Sequence, residues 1–165
     1  MWQPLGNPVG RAYVAVMGEF DSPRDLVFNR ALIADPTEFA RERSAASWLY
    51  LCGDEFASME GGMSYEDVQN AVPASANIVC DTLPMTMELA REQIAALDEL
   101  PRPTLVTCRA GPKSSALVYL YAGLQAGASA EDVIARAEAD DAPFAHVEPL
   151  RAWVAQGLDE FAATS

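Results

Sequence analysis

Lysine is almost absent from this 165-residue chain, and histidine is as rare: there is one of each, Lys113 and His146, against ten arginines and 24 acidic residues. The formal net charge is −13. A surface so short of cations repels nucleic acid, anionic lipid and other polyanions over any broad face, so neither a nucleic-acid nor a membrane partner is expected. A small anionic or phosphorylated substrate can be held only in a local pocket of reversed sign. Cysteine is scarce too. Cys52, Cys80 and Cys108 make an odd set, which argues against a secreted disulfide framework and for a reducing cytoplasm with at least one working thiol. No apolar run reaches the roughly 18 residues of a membrane span. The opening Met1-Trp-Gln-Pro-Leu-Gly-Asn-Pro lacks the basic-then-apolar order of a secretory leader. Cysteine and histidine spacings carry no zinc pattern, so no metal or other cofactor is expected.

Half the residues are hydrophobic, enough for one self-sufficient core at this length. Four short apolar runs read as buried parallel strands: Tyr13–Met17, Trp48–Cys52, Asn77–Cys80 and Thr104–Cys108. Helices with recognisable starts lie between them. Asp35-Pro-Thr-Glu38 offers a capping aspartate, a proline at the first helical position and a glutamate at the third. Ser64 and Ser129 open capping-box-like segments, and Thr86 caps a helix running to Leu100 with Met87, Ile94 and Leu97 towards the core. The stretch Ser114–Gln125 is almost wholly apolar and is expected to be a buried helix. A last amphipathic helix carries the stripe Val147, Leu150, Val154, Leu158 and Phe161. Strands alternating with helices predict a single α/β domain with a central, mostly parallel sheet of about four strands and helices on both faces. Residues 1–12 are read as an N-terminal extension and 13–165 as the domain.

The chemistry concentrates in Thr104-Leu-Val-Thr-Cys108-Arg-Ala-Gly111-Pro-Lys113-Ser-Ser. An apolar strand ends in a cysteine, passes through a glycine-containing loop and opens into a helix. Backbone N–H groups and a helix N-terminus favour both a thiolate and a bound anion. Arg109 and Lys113 are the cations at hand, and no other short stretch combines a cysteine with two. A cysteine ending an apolar strand is more often a small buried hydrophobe; the residues that follow Cys108 are what set it apart. Ligands of such sheets bind outside the carboxyl ends of the strands, where the other two cysteines are also expected.

Cys108-Arg-Ala-Gly-Pro-Lys-Ser114 resembles the Cys-Arg-Ser-Gly-x-Arg-Ser loop of the phosphatase-like domain in beta-lactamase-hydrolase-like proteins, part of the cysteine-dependent tyrosine and dual-specificity phosphatase superfamily. The resemblance implies a cysteine-phosphatase-like fold and hydrolysis of a phosphomonoester through a thiophosphate intermediate. It implies Cys108 as nucleophile and an oxyanion cradle built from Arg109, Ala110, Gly111, Lys113 and Ser114. Either Ser114 or Ser115 is then expected to hydrogen-bond the sulfur, and Asp81 to act as general acid; Asp54 and Glu55 are its rivals. Trp48-Leu-Tyr-Leu-Cys52 is similar to the strand of the phosphatase-and-tensin homologue that carries a redox-active "back-door" cysteine, which implies a redox role for Cys52.

The chain departs from that family in three places. Lys113 and Ser114 stand where a phosphate-clamping arginine is required, and lysine brings charge without the bidentate fork. Pro112 lacks an N–H, and Thr107 replaces the histidine that usually precedes the nucleophile. These departures leave open a weak or degenerate phosphatase. Two further readings also stand: a rhodanese-like sulfurtransferase working through a Cys108 persulfide, and a non-catalytic anion-binding relative.

Overall fold

The computed structural model describes residues 20–80 and 85–162. The expected strand Tyr13–Met17, the extension 1–12 and the candidate acid Asp81 lie outside the described residues. Among the described residues four strands form one sheet: β1 (Leu26–Phe28), β2 (Ser47–Tyr50), β3 (Ala74–Asn77) and β4 (Thr104–Thr107), in the order β1-β4-β2-β3 with every pair parallel. The helices are α1 (Pro36–Glu42), α2 (Asp54–Ala57), α3 (Tyr65–Ala71), α4 (Met87–Glu99), α5 (Pro112–Ala126), α6 (Ala130–Ala139) and α7 (Glu148–Ala162), with a 3₁₀ turn at Pro143–His146.

β2 and β4 are buried at every position, as continuous apolar runs require when both faces of a parallel sheet are covered. α5 packs on β1 and β4, with α4, α6 and α7 gathered around it, while α1 packs on α3 and α3 lies on β2 and β3. The helix starts follow local chemistry. Asp35 accepts the Glu38 N–H ahead of Pro36, Ser64 and Asp67 complete a capping box, and Thr86 and Ser129 accept the N–H groups of Leu89 and Asp132. Within α4 the buried positions are Ala90, Gln93 and Leu97, with Met87 and Ile94 only partly covered.

Two strands sit differently from the sequence expectation. β1, Leu26-Val-Phe28, is too short to announce itself by pattern. β3 is the weakly apolar Ala74-Ser-Ala-Asn77, upstream of the apolar Asn77–Cys80. At its end the Asn77 side-chain amide donates to the carbonyls of Tyr50 (2.9 Å) and Cys52 (3.0 Å), sharing the Tyr50 carbonyl with the Ile78 N–H (3.0 Å). β2 and β4 likewise stop at Tyr50 and Thr107. Cys108 is thus the first residue beyond its strand, whereas Cys52 and Cys80 lie two and three residues beyond theirs. Single backbone bonds, Leu51 N–H to Thr107 O and Cys80 N–H to Leu51 O, both 2.9 Å, hold these extensions together. Because all four strands are parallel, their following connections leave from one edge. β4, inserted between β1 and β2, puts Cys108 at the crevice where the winding changes direction.

Candidate active site

The Cys108 sulfur sits at the mouth of α5, a 15-residue helix buried continuously from Ser114 to Tyr121. Two backbone N–H groups point at it, from Gly111 (3.2 Å) and Ser114 (3.4 Å), and the Ser114 hydroxyl is 3.4 Å away. The helix has no side-chain N-cap. The donors of its first turn, which a serine or aspartate would ordinarily satisfy, are turned on the sulfur instead. Pro112 occupies the first helical position, where the missing N–H costs the helix nothing.

The loop closes because Gly111 carries φ 117°. A β-carbon there would lie 2.2 Å from the Asn29 carbonyl oxygen, so no other residue fits. Asn29, just after β1 and 2% exposed, is the hub of the site, and nothing in the sequence singled it out. Its amide donates to the carbonyls of Cys108 (2.9 Å), Arg109 (3.2 Å) and Ala31 (3.1 Å). Its side-chain oxygen Oδ1 accepts the Cys108 N–H (3.2 Å) and the Ser114 hydroxyl (3.0 Å). One buried side chain thereby fixes both ends of the loop. The available signal was an asparagine ending the apolar run Leu26-Val-Phe28, weak because the run is so short.

Ser114 has one hydroxyl proton and three neighbours able to take it: the sulfur, Asn29 Oδ1 and the Gly111 carbonyl (3.2 Å). With a thiol at Cys108, the S–H donates to Ser114 and the hydroxyl proton turns to Asn29 or Gly111. With a thiolate, the hydroxyl can donate to sulfur. Ser115 faces elsewhere: it donates to the Pro112 carbonyl (3.0 Å) and accepts the Phe144 N–H (3.1 Å), tying α5 to the 3₁₀ turn. Thr107 accepts the indole N–H of Trp48 at 2.8 Å, both side chains being fully buried. The position before the cysteine therefore serves the core.

The two cations do not converge on the sulfur. Lys113 donates to the Cys80 carbonyl at 2.6 Å. The guanidinium of Arg109 lies 3.8 Å from the Glu55 carboxylate and over the Phe56 ring at 5.4 Å. Asp54 and Glu55 occupy the exposed first turn of α2. All three cysteines line one cavity of about 470 Å³ together with Arg109, Ala110 and Lys113, and the Cys80 sulfur also touches that of Met85 at 2.8 Å. Among the described residues, no group of three or more His, Cys, Asp or Glu side chains is placed to hold a metal, and no helix is long and apolar enough to cross a membrane.

No protein-family model and no curated protein sequence matches the chain. Solved structures do. Tk-PTP in its active form superposes with a TM-score of 0.63 at 16% identity, covering 85% of this chain and 93% of its own. A Neisseria meningitidis protein described as a candidate phosphatase gives 0.63 at 15%, over 86% and 99%. The core catalytic domain of the S. cerevisiae PP-IP phosphatase SIW14, in complex with citrate, gives 0.55 at 12%, over 88% and 93%. The chain shares its fold with these phosphatases, as the resemblance of the Cys108 loop implied.

Proposed function

We propose that the protein is a cysteine-dependent hydrolase of phosphomonoesters. The observation that carries this reading is the pair of backbone N–H groups, Gly111 and Ser114, aimed at the Cys108 sulfur from an otherwise uncapped helix. Such donors are oriented towards an oxyanion placed before the sulfur. In the proposed reaction the thiolate attacks phosphorus. A P–S bond forms, the P–O bond to the leaving group breaks, and a general acid protonates the departing oxygen. Water, giving a proton back to that deprotonated acid, then attacks the thiophosphate, the P–S bond breaks, and inorganic phosphate and the thiolate are released, with Ser114 donating to the departing sulfur. Asp81 is the proposed acid, one residue beyond the Cys80 carbonyl that Lys113 holds. Arg109, Ala110 and Gly111 complete the cradle with Lys113. Without an arginine fork, charge on the equatorial phosphate oxygens is met by backbone dipoles and one ammonium, so slow turnover is expected.

The test is to mix the protein with p-nitrophenyl phosphate, quench in acid and look for phosphate on Cys108 by mass spectrometry, alongside iodoacetamide labelling with and without vanadate. A phosphocysteine, vanadate protection, and a fall in turnover of at least about 10³-fold in Cys108→Ser are expected. Unchanged turnover in Cys108→Ser sinks the reading. A persulfide on Cys108 after thiosulfate treatment, with no phosphocysteine, replaces it with sulfur transfer.

A further inference from the structure

Beyond the reaction type, the surroundings of Cys108 carry information about what is attached to the phosphoryl group. Around the cradle the cavity is walled by Leu51, Ala110, Pro112, Val147 and Leu150 as well as by the cysteines. Its volume of about 470 Å³ is ample for a ligand of drug-like size. Three large hydrophobic side chains stand most exposed among the described residues. They are Leu32 (53%), Met59 (46%) and Val79 (43%). They belong to the connections that follow β1, β2 and β3 respectively. Leu32 and Val79, four and two residues beyond their strands, therefore lie at the edge of the sheet where Cys108 lies.

Positive charge in the cavity is by contrast confined to the cradle loop. Lys113 is bound to the Cys80 carbonyl and Arg109 is paired with Glu55. On flanking segments, Arg30 donates to the carbonyls of Asp141 (2.7 Å) and Asp140 (3.1 Å), and Arg151 is bound to Glu138 at 2.9 Å. The cavity's two cations, Arg109 and Lys113, belong to the cradle loop, so a second or third phosphate group farther out would meet the Leu51–Val147–Leu150 wall instead, within a chain of net charge −13.

From these observations we infer that the substrate bears a single phosphoryl group on an apolar leaving group, which fills the Leu51–Val147–Leu150 wall, and that polyphosphorylated ligands are excluded. This rests on the phosphomonoesterase reading above and narrows it. The single phosphate is met by the backbone donors of the cradle, and the apolar remainder replaces water against the wall and rim.

The inference is tested by calorimetric titration of the Cys108→Ser protein, in which binding is read without turnover. The probes are 1-naphthyl phosphate, glycerol 3-phosphate, inositol hexakisphosphate and inorganic phosphate. Naphthyl phosphate is expected to bind at least about tenfold more tightly than glycerol 3-phosphate, with inositol hexakisphosphate weakest of all. Val147→Lys, at a half-buried position of the wall, is expected to weaken naphthyl phosphate and strengthen inositol hexakisphosphate. Equal affinity for the naphthyl and glycerol esters, tighter binding of inositol hexakisphosphate, or an unmoved preference in Val147→Lys overturns the inference while leaving phosphomonoesterase activity standing. Failure of every probe to bind, with no vanadate protection of Cys108 in the unaltered protein, overturns the phosphatase reading itself and this inference with it.

Discussion

Helix α5 is entered through Gly111 at φ 117° and left through Gly127 at φ 67°. Both conformations favour glycine. At the C-terminal end the helix satisfies itself: the Gly127 N–H bonds back to Leu124 and the Ala128 N–H to Gly123, a closure of Schellman type. Nothing lies within 4 Å of where a Gly127 β-carbon would sit. At the N-terminal end the same residue type is pressed against the Asn29 backbone, and the first-turn donors are left for a sulfur. One end closes on itself and the other stays open to an anion. The comparison separates a glycine that ends a helix from a glycine that builds a site, which backbone conformation alone does not do.

The most severe way to break the comparison is Gly111→Ala. Strain at positive φ and the collision with the Asn29 carbonyl together cost about 3–5 kcal/mol, and vanadate protection of Cys108 is lost; denaturant unfolding and iodoacetamide labelling read both effects. Asn29→Ala comes next. It leaves the Cys108 N–H and the Cys108 and Arg109 carbonyls without their buried partner, at about 2–3 kcal/mol. Turnover is expected to fall about a hundredfold as the loop loosens, in line with the cost of misplacing a reacting group. Gly127→Ala, the control at the other end, costs about 1 kcal/mol through conformation alone and leaves labelling kinetics unchanged. A loss of cradle function in Gly127→Ala as large as in Gly111→Ala erases the distinction.

A smaller effect concerns the middle of the helix, where Tyr119 donates to Asp140 at 2.6 Å. Desolvation pushes the Asp140 carboxyl up, but hydrogen bonds from Ser22 and Tyr119 and the nearby Arg136 guanidinium outweigh it, and the net displacement is downward. Burial holds the Tyr119 phenol far above its usual range, so it remains a donor throughout. With the folded carboxyl below its unfolded value, the unfolded chain binds more protons, and stability rises with pH across that interval. The contribution is complete above the ordinary aspartate range and disappears as pH falls through the depressed value. Asp140→Asn is expected to cost about 1 kcal/mol at neutral pH and to flatten the acid limb of a stability–pH profile measured by urea unfolding.

The parts of the site that were legible are local ones. Gly111, Pro112 and the apolar run after them announce a tight loop opening a buried helix, because chain stiffness and capping act over a few residues. Cys108 follows from the same stretch. So do the starts of α1, α3, α4 and α6, each marked by a side chain that reaches only three residues ahead. Asn29 was not legible: its five partners include atoms 79 to 85 residues away, and only the insertion of β4 beside β1 brings them within reach. The placement of β3 failed for a related reason. An edge strand is decided by which backbone groups its neighbour leaves open, and past Asn77 the contact with β2 continues through the Ile78 and Cys80 N–H groups outside the regular strand.

Net charge, the scarcity of cations, the helix boundaries and the thiol at a helix mouth were settled along the chain, since each depends on composition or on neighbours a few residues apart. Which serine faces the sulfur, where the two cations point, and that three cysteines share one cavity were settled only by folding. Ser114 and Ser115 are adjacent and chemically identical, and the helical turn sends one to Cys108 and the other to Phe144. Lys113 and Arg109 carry charge wherever they are, but the Cys80 carbonyl and the Glu55 carboxylate that hold them come from two other strand ends, brought together by the parallel sheet.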